Sequence, residues 1–181
     1  MCIRDRYKLS KGHNGLEEAL EKMVIKVEAK VDSGHNIIIL SDRNVSEKLA
    51  PIPILIACSY IHHSMIKRKK RSKFGIVIES AEPREPHHFS MLFGYGASAI
   101  NPYLVNEIIN YKHKVGVLDN LEEAIVNYNN AVAKGILKVM NKIGISTLHS
   151  YRGAQIFEAL GLRQKFITVS YTHLTLPTRL S

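Results

Sequence analysis

Short apolar runs alternate along this chain with longer stretches whose apolar residues recur at helical spacing. Three runs each end in a polar or charged cluster: residues 37–40 before Ser41-Asp42-Arg43, 75–78 before Glu79-Ser80, and 97–100 before Asn101-Pro102. Brief apolar runs between helices predict parallel strands buried on both faces. The carboxyl ends of such strands all point to one rim, where ligands bind. Asp42, Arg43, Glu79 and Asn101 are therefore expected at one edge of a sheet.

The helices carry clear signals. Leu16, Leu20, Met23, Val24, Val27 and Val31 form a stripe at helical spacing. Asn14 with Glu17 is the expected N-cap and Gly34 the expected C-terminal stop. Pro51 and Pro53 are expected to open a second helix marked by Ile54, Cys58, Ile61 and Met65. A short helix over 87–93, stopped by Gly94 and Gly96, leads to the third strand. Another helix spans 103–111. The longest spans 121–143, capped by Asp119 with Glu122 and stopped by Gly144. Its stripe is Leu121, Ala124, Ile125, Tyr128, Val132, Ile136, Val139, Met140 and Ile143. Residues 145–152 fit strand or loop equally, and 153–160 read as a last helix closed by Gly161. The fold class is α/β, with parallel β-α-β units resembling part of an incomplete (β/α) barrel-like domain.

Composition narrows the classes. A chain of 181 residues with 45% hydrophobic content suits one α/β domain or a piece of one. No apolar run is long enough to span a membrane, no signal peptide is visible, and two cysteines are too few for a disulfide framework. The expected setting is cytoplasmic. Net charge is +9, much of it in Lys67-Arg68-Lys69-Lys70-Arg71 and Lys73. That run follows a helix, where cations suit the macrodipole, and has no interleaved aromatics for base stacking. It reads as a solvated connection, and no nucleic-acid or membrane partner is expected. Residues 1–6 show no periodicity and no cap, and 168–181 show weak strand propensity with nothing to pair. Both strings resemble translated adapter sequence, so 1–6 is assigned to a non-native leader, 168–181 to a non-native tail, and 7–167 to the body.

No catalytic constellation emerges by spacing. His62-His63 are adjacent on a helix and point about 100° apart, so they form no two-ligand face. His87-His88 after Glu85 has no Cys or carboxylate partner at metal-site spacing. Gly94-Tyr95-Gly96-Ala97-Ser98 precedes a strand, the wrong context for a phosphate cradle. Glu79, Glu82, Arg84 and Glu85 cluster after a strand; carboxylates there can act as general bases, but Arg84 pairing with a neighbouring carboxylate is the simpler expectation. Asp42 is expected to cap the following turn, and Arg43 to reach across the rim. His149-Ser150-Tyr151-Arg152-Gly153 reads as an anion site or an ordinary capping loop.

Read together and in order, these segments resemble one family. Leu40-Ser41-Asp42-Arg43, Ala50-Pro51-Ile52-Pro53, His62-His63, Glu79-Ser80-Ala81-Glu82-Pro83-Arg84-Glu85 and His87-His88-Phe89 are similar to the large subunit of glutamate synthase. So are Gly94-Tyr95-Gly96-Ala97, Asn101-Pro102-Tyr103-Leu104, Lys134-Gly135-Ile136-Leu137-Lys138-Val139-Met140, Lys142-Ile143-Gly144-Ile145-Ser146-Thr147 and Ser150-Tyr151-Arg152-Gly153-Ala154-Gln155-Ile156-Phe157-Glu158. The resemblance implies a modular enzyme: a glutaminase domain, a central domain, an FMN-binding (β/α)8 barrel with an iron–sulfur cluster, and a β-helix. Ammonia passes through a tunnel to 2-oxoglutarate, and reduced FMN delivers hydride to the imine. Electrons come from a small subunit using NAD(P)H, or from ferredoxin. This chain resembles the C-terminal part of the central domain alone. Cys2 matches no glutaminase nucleophile, and the flavin, 2-oxoglutarate and cluster residues of the family lie elsewhere. No catalytic, cofactor-binding or metal residue is carried over to this segment. Its expected partners are the neighbouring glutaminase and FMN domains. The alternative is a stand-alone α/β small-molecule-binding domain using Asp42, Glu79 and Asn101 at the strand ends.

Overall fold

In the computed structural model, which describes residues 1–158, four strands lie side by side, all parallel. They are β1 (Cys2–Arg4), β3 (Ile37–Ser41), β5 (Gly75–Glu79) and β6 (Ala99–Asn101), in spatial order β1-β3-β5-β6. A two-stranded antiparallel ribbon, β2 (Arg6–Lys8) with β4 (Leu49–Pro51), sits beside them. The helices are α1 (Gly12–Asp32), α2 (Ile54–Lys67), α3 (Pro86–Gly94), α4 (Tyr103–Lys114), α5 (Leu121–Ile143) and α6 (Leu148–Tyr151). Each parallel strand adds beside its predecessor after a helical crossover, so the architecture is the α/β class of parallel β-α-β units.

The β-branched runs bury one face of the sheet completely. Ile38, Leu40, Ile76 and Ile78 are fully buried against Leu20, Met23, Val24, Val27 and Val31 of α1 and Ile54, Cys58, Ile61 and Met65 of α2. The helical stripes read from the sequence thus meet one sheet face in one core. The second face differs from the expectation of two-sided burial. Ile37 is 53% exposed, and Ile39 and Val77 are only half-buried. Strand alternation puts these side chains opposite the α1–α2 layer, and no comparable layer covers them among the described residues.

Several local signals shift. Residues 2–4, in a stretch that shows no periodicity, supply an edge strand because β3 offers a free ladder: Cys2, Ile3 and Arg4 pair with Ile39, Leu40 and Ser41. Pro51 ends a ribbon strand, and α2 starts after Pro53. Asn14 lies inside α1, whose N-cap is Lys11. Asn120, not Asp119, caps α5, its side chain accepting from Glu123 N–H. Gly144 closes α5 in the left-handed region at φ +78°, where a glycine carries no Cβ penalty. The segment after α5 is the four-residue α6, and residues 153–158 are not helical. There the chain is pinned instead: Tyr151 is buried with its hydroxyl donating to Ser90 O, and Gly153 N–H donates to Gly94 O. Gly161 and the assigned tail lie outside the described residues.

Candidate functional site

The strand carboxyl ends do gather at one rim, in two rows. Pairing sets Arg4 beside Ser41, Ser41 beside Glu79, and Glu79 beside Asn101. This first row lies on the less covered face and is closed by its own hydrogen bonds. Arg4 and Ser41 Oγ are 2.8 Å apart, and Ser41 Oγ donates to Glu79 Oε2 at 2.6 Å. Arg43 reaches back to Glu79 Oε1 at 2.9 Å and on to Glu107 Oε1 at 3.3 Å, its guanidinium 4.0 Å above the Tyr103 ring. Those bonds hold the Glu79 carboxyl below its ordinary range, Ser41 first and Arg43 after it. Arg43, Asn101, Tyr103, Asn106, Glu107 and Asn110 line an open polar depression of about 230 Å³.

The second row is one residue further on and faces the helices. Asp5, Asp42 and Ser80 follow the ends of β1, β3 and β5 and are all buried. Asp42 Oδ2 accepts from Ser80 Oγ at 2.6 Å and from Ala81 N–H at 3.0 Å. Asp42 thus holds the turn after β5 and not the turn after its own strand. Glu82 Oε1 accepts from Ile54 N–H at 3.1 Å, supplying an acceptor to the open N-terminus of α2. Burial pushes the Glu82 carboxyl up, with Asp42 adding to it. Burial, then hydrogen bonding to the Asp42 carboxylate and its charge, push the Tyr103 phenol up to about 12. The four rim residues picked by spacing therefore share an edge but not a surface. Asp42 belongs to the inner row, while Glu79 and Asn101, with Arg43, belong to the outer one. Sequence reasoning passed over Asp5, and Ile3 and Asp5 in alternation were its one weak signal.

The histidines do structural work. His62 Nδ1 accepts from Arg71 Nε at 3.0 Å, and the same guanidinium donates to Phe74 O and Gly96 O. Burial, then Arg71, push the His62 imidazole down to about 3. His63 Nδ1 lies 2.8 Å from Ser59 O. His88 Nδ1 accepts from Arg84 and Glu85 N–H ahead of α3, and His87 packs edge-on against Phe157. Arg84 makes no ion pair among the described residues; its carbonyl accepts from Tyr128 Oη. Within the basic run, Arg68 pairs with Glu28, and Lys70 with Glu28 and Asp32, fastening the end of α2 to α1. Arg152 donates to Ser98 Oγ beside His149, and α6 is too short to offer an anion site.

Among the described residues, no three His, Cys, Asp or Glu side chains are placed to hold a metal ion, and no helix is long and apolar enough to cross a membrane. The donor set does not fit an iron–sulfur cluster, which needs several thiolates. Cys2 and Cys58 are the two cysteines, and burial pushes the Cys58 thiol up to about 12.

Comparison with known proteins agrees with this order of motifs. The family model described as glutamate synthase central domain matches residues 2–163. A large chain of NADPH glutamate synthase from Bacillus subtilis is 46% identical over 153 residues, covering 84% of this chain and 10% of that protein. An NADH glutamate synthase from Schizosaccharomyces pombe is 43% identical over 163 residues, covering 87% and 8%. A ferredoxin-dependent glutamate synthase from Pyropia yezoensis is 38% identical over 190 residues, covering 96% and 12%. The chain thus spans about a tenth of the length of these relatives.

Proposed function

Because this chain belongs to the glutamate synthase central-domain family, we propose that it serves as a structural segment of a glutamate synthase. In that role it joins a glutaminase domain to an FMN domain carrying an iron–sulfur cluster and forms part of the wall along which ammonia passes. The whole enzyme would convert glutamine, 2-oxoglutarate and two reducing equivalents to two glutamates in the cytoplasm. Its electrons would come from a small subunit or from ferredoxin. The single observation carrying this reading is the match of residues 2–163 to the central domain, shared with relatives that use three different electron donors.

The physical argument for a wall is protonation. Ammonia released into water at neutral pH becomes ammonium and loses its nucleophilic lone pair. A segment with this task needs rigidity and coverable surfaces more than a reaction centre. The outer rim row supports that reading: Arg4, Ser41, Glu79 and Arg43 spend their hydrogen bonds on one another. The stripe of α5 supports it too, since only Val132 and Met140 of its nine residues are buried, and half-buried apolar helices call for a partner.

The test is a transplant. Residues 7–167 replace the corresponding segment of the Bacillus subtilis large chain, and glutamate formation is measured from glutamine and from added ammonium. Retention of both activities with a normal flavin spectrum is expected. A chimera with full flavin that makes glutamate from neither source would overturn the assignment. So would stoichiometric FMN binding or glutamate formation by the 181-residue chain alone.

A further inference from the structure

Arg71 carries a charge that no acid in the chain answers. It leaves the basic run and turns inward, where Nε donates to His62 Nδ1 at 3.0 Å, Nη1 to Phe74 O at 2.7 Å and Nη2 to Gly96 O at 2.7 Å. The guanidinium is half-buried and lies 5.0 Å from the centre of the Phe74 ring. Two carbonyls and an imidazole satisfy its hydrogen bonds but bring no negative charge. Burial, offset by Cys58 and reinforced by Arg152, pulls Arg71 below its ordinary value. A cation taken out of water normally sits against an anion. Arg71 has none: neither it nor Arg152 pairs with a carboxylate among the described residues. Residues 159–181 contain no Asp or Glu either.

Arg152 brings a second guanidinium to the same place. Its Nη1 donates to Ser98 Oγ at 3.0 Å, two residues beyond the Gly96 carbonyl that Arg71 holds, and its Nη2 lies 2.9 Å from His149 Nδ1. Gly153 adjoins the far edge of the His62 ring, where an added Cβ would lie 3.4 Å from Nε2. His62 Nδ1 accepts from Arg71, so the ring proton is on Nε2. Ser98 Oγ accepts from Arg152 and keeps its own hydroxyl proton to donate. Arg71, Ser98 and Arg152 are all half-buried, so the group opens to solvent. We propose that Arg71 and Arg152 bind a divalent tetrahedral oxyanion of the phosphate class, supplied from outside the chain, with His62 Nε2–H and the Ser98 hydroxyl as neutral donors. Two fixed positive charges call for a dianion, since a carboxylate would leave one of them unanswered. Guanidinium N–H groups are suited to phosphate oxygens. The bound ion would tie the segment after α6 to the amino end of the sheet, because Ser98 directly precedes β6. This inference is independent of the glutamate synthase reading.

The test is a titration of the 181-residue chain with inorganic phosphate at neutral pH, ionic strength being held constant with sodium chloride. It is followed at the arginine Nε–H signals of 15N-labelled protein. Those of Arg71 and Arg152 should move together and saturate, with a Kd on the order of 1 mM. The unfolding temperature should rise with phosphate above the chloride control. Arg152→Gln should weaken phosphate binding about tenfold or more, and Arg152→Lys should recover part of the loss. Ethyl phosphate is a second arm: equal affinity supports a phosphate carried on a larger molecule, and clearly weaker binding supports the free ion. No saturation in the parent at about ten times the expected Kd would overturn the proposal, and that measurement needs no variant. Acetate moving both signals as far as phosphate would also overturn it, by showing a carboxylate site. So would an unchanged Kd in Arg152→Gln.

Discussion

Glu79 sits between a hydroxyl and a guanidinium, and both favour its charged form. Replacing it by Gln keeps the shape but removes the charge that orients Arg43. With Glu79 and Arg43 both partly exposed, a loss of about 1 kcal/mol at pH 7 is expected. A lowered carboxyl contributes stability above its unfolded value, here 4.5, and loses it as pH falls further. The gap in urea midpoint between Glu79→Gln and the parent should therefore shrink below about pH 4.5. A gap that widens in acid would contradict the sign. Gly96 is a different kind of residue. At φ +103° it lies in the left-handed region, and an added Cβ would fall 2.2 Å from His62 Nδ1. Gly96→Ala should cost about 3 kcal/mol in thermal or denaturant unfolding, combining backbone strain with displacement of the His62–Arg71 latch. A loss below about 0.5 kcal/mol would show that the latch yields freely.

At the scale of elements, the α3–α5 crossing decides the sign of a substitution that propensity alone gets wrong. Gly135 lies within α5, where Gly→Ala normally gains about 1 kcal/mol. Here the new Cβ would sit 2.4 Å from Pro86 Cβ and 2.5 Å from Cγ. Pro86 is a rigid ring in the first turn of α3 and cannot swing aside. Gly135→Ala should therefore destabilise, by about 1–3 kcal/mol. A raised melting temperature would show that the two helices slide apart at no cost. The strands show the complementary lesson. β1 is three residues long, yet its parallel register suffices to carry Arg4 to Ser41 in the outer rim row.

At the scale of the whole molecule, apolar surface is unevenly covered. Val126 and Leu137 on α5, Ile108 and Tyr111 on α4, and Val115 and Val117 between them are each more than 40% exposed. Val126 and Leu137 are eleven residues apart, three helical turns, and so share a face. Apolar side chains grouped in this way mark association surfaces. The chain should self-associate with increasing concentration in sedimentation, and Val126→Glu with Leu137→Glu should return it towards monomer. A monodisperse parent at high concentration in low salt would count against this. The carboxyl-end rim was legible from the apolar runs alone, because short continuous apolar runs between helical stretches mark parallel strands locally, even though the burial on both faces that they suggested is found on one face only. The split of that rim into two rows was not, since it depends on which strand follows which across space.

What the amino-acid sequence determined by itself was local: the apolar periodicity that sets α2 and α5, the glycine that ends α5, and the ordered motifs that mark the family. Side-chain spacing along one segment suffices for each of these. Tertiary structure alone decided the rest. It recruited Cys2–Arg4 as a strand, moved Pro51 from helix to ribbon, unwound 153–158 around the buried Tyr151, and buried Asp5 at the end of β1. Each outcome depends on a partner roughly forty or more residues away, and no window along the chain carries the free energy of that contact.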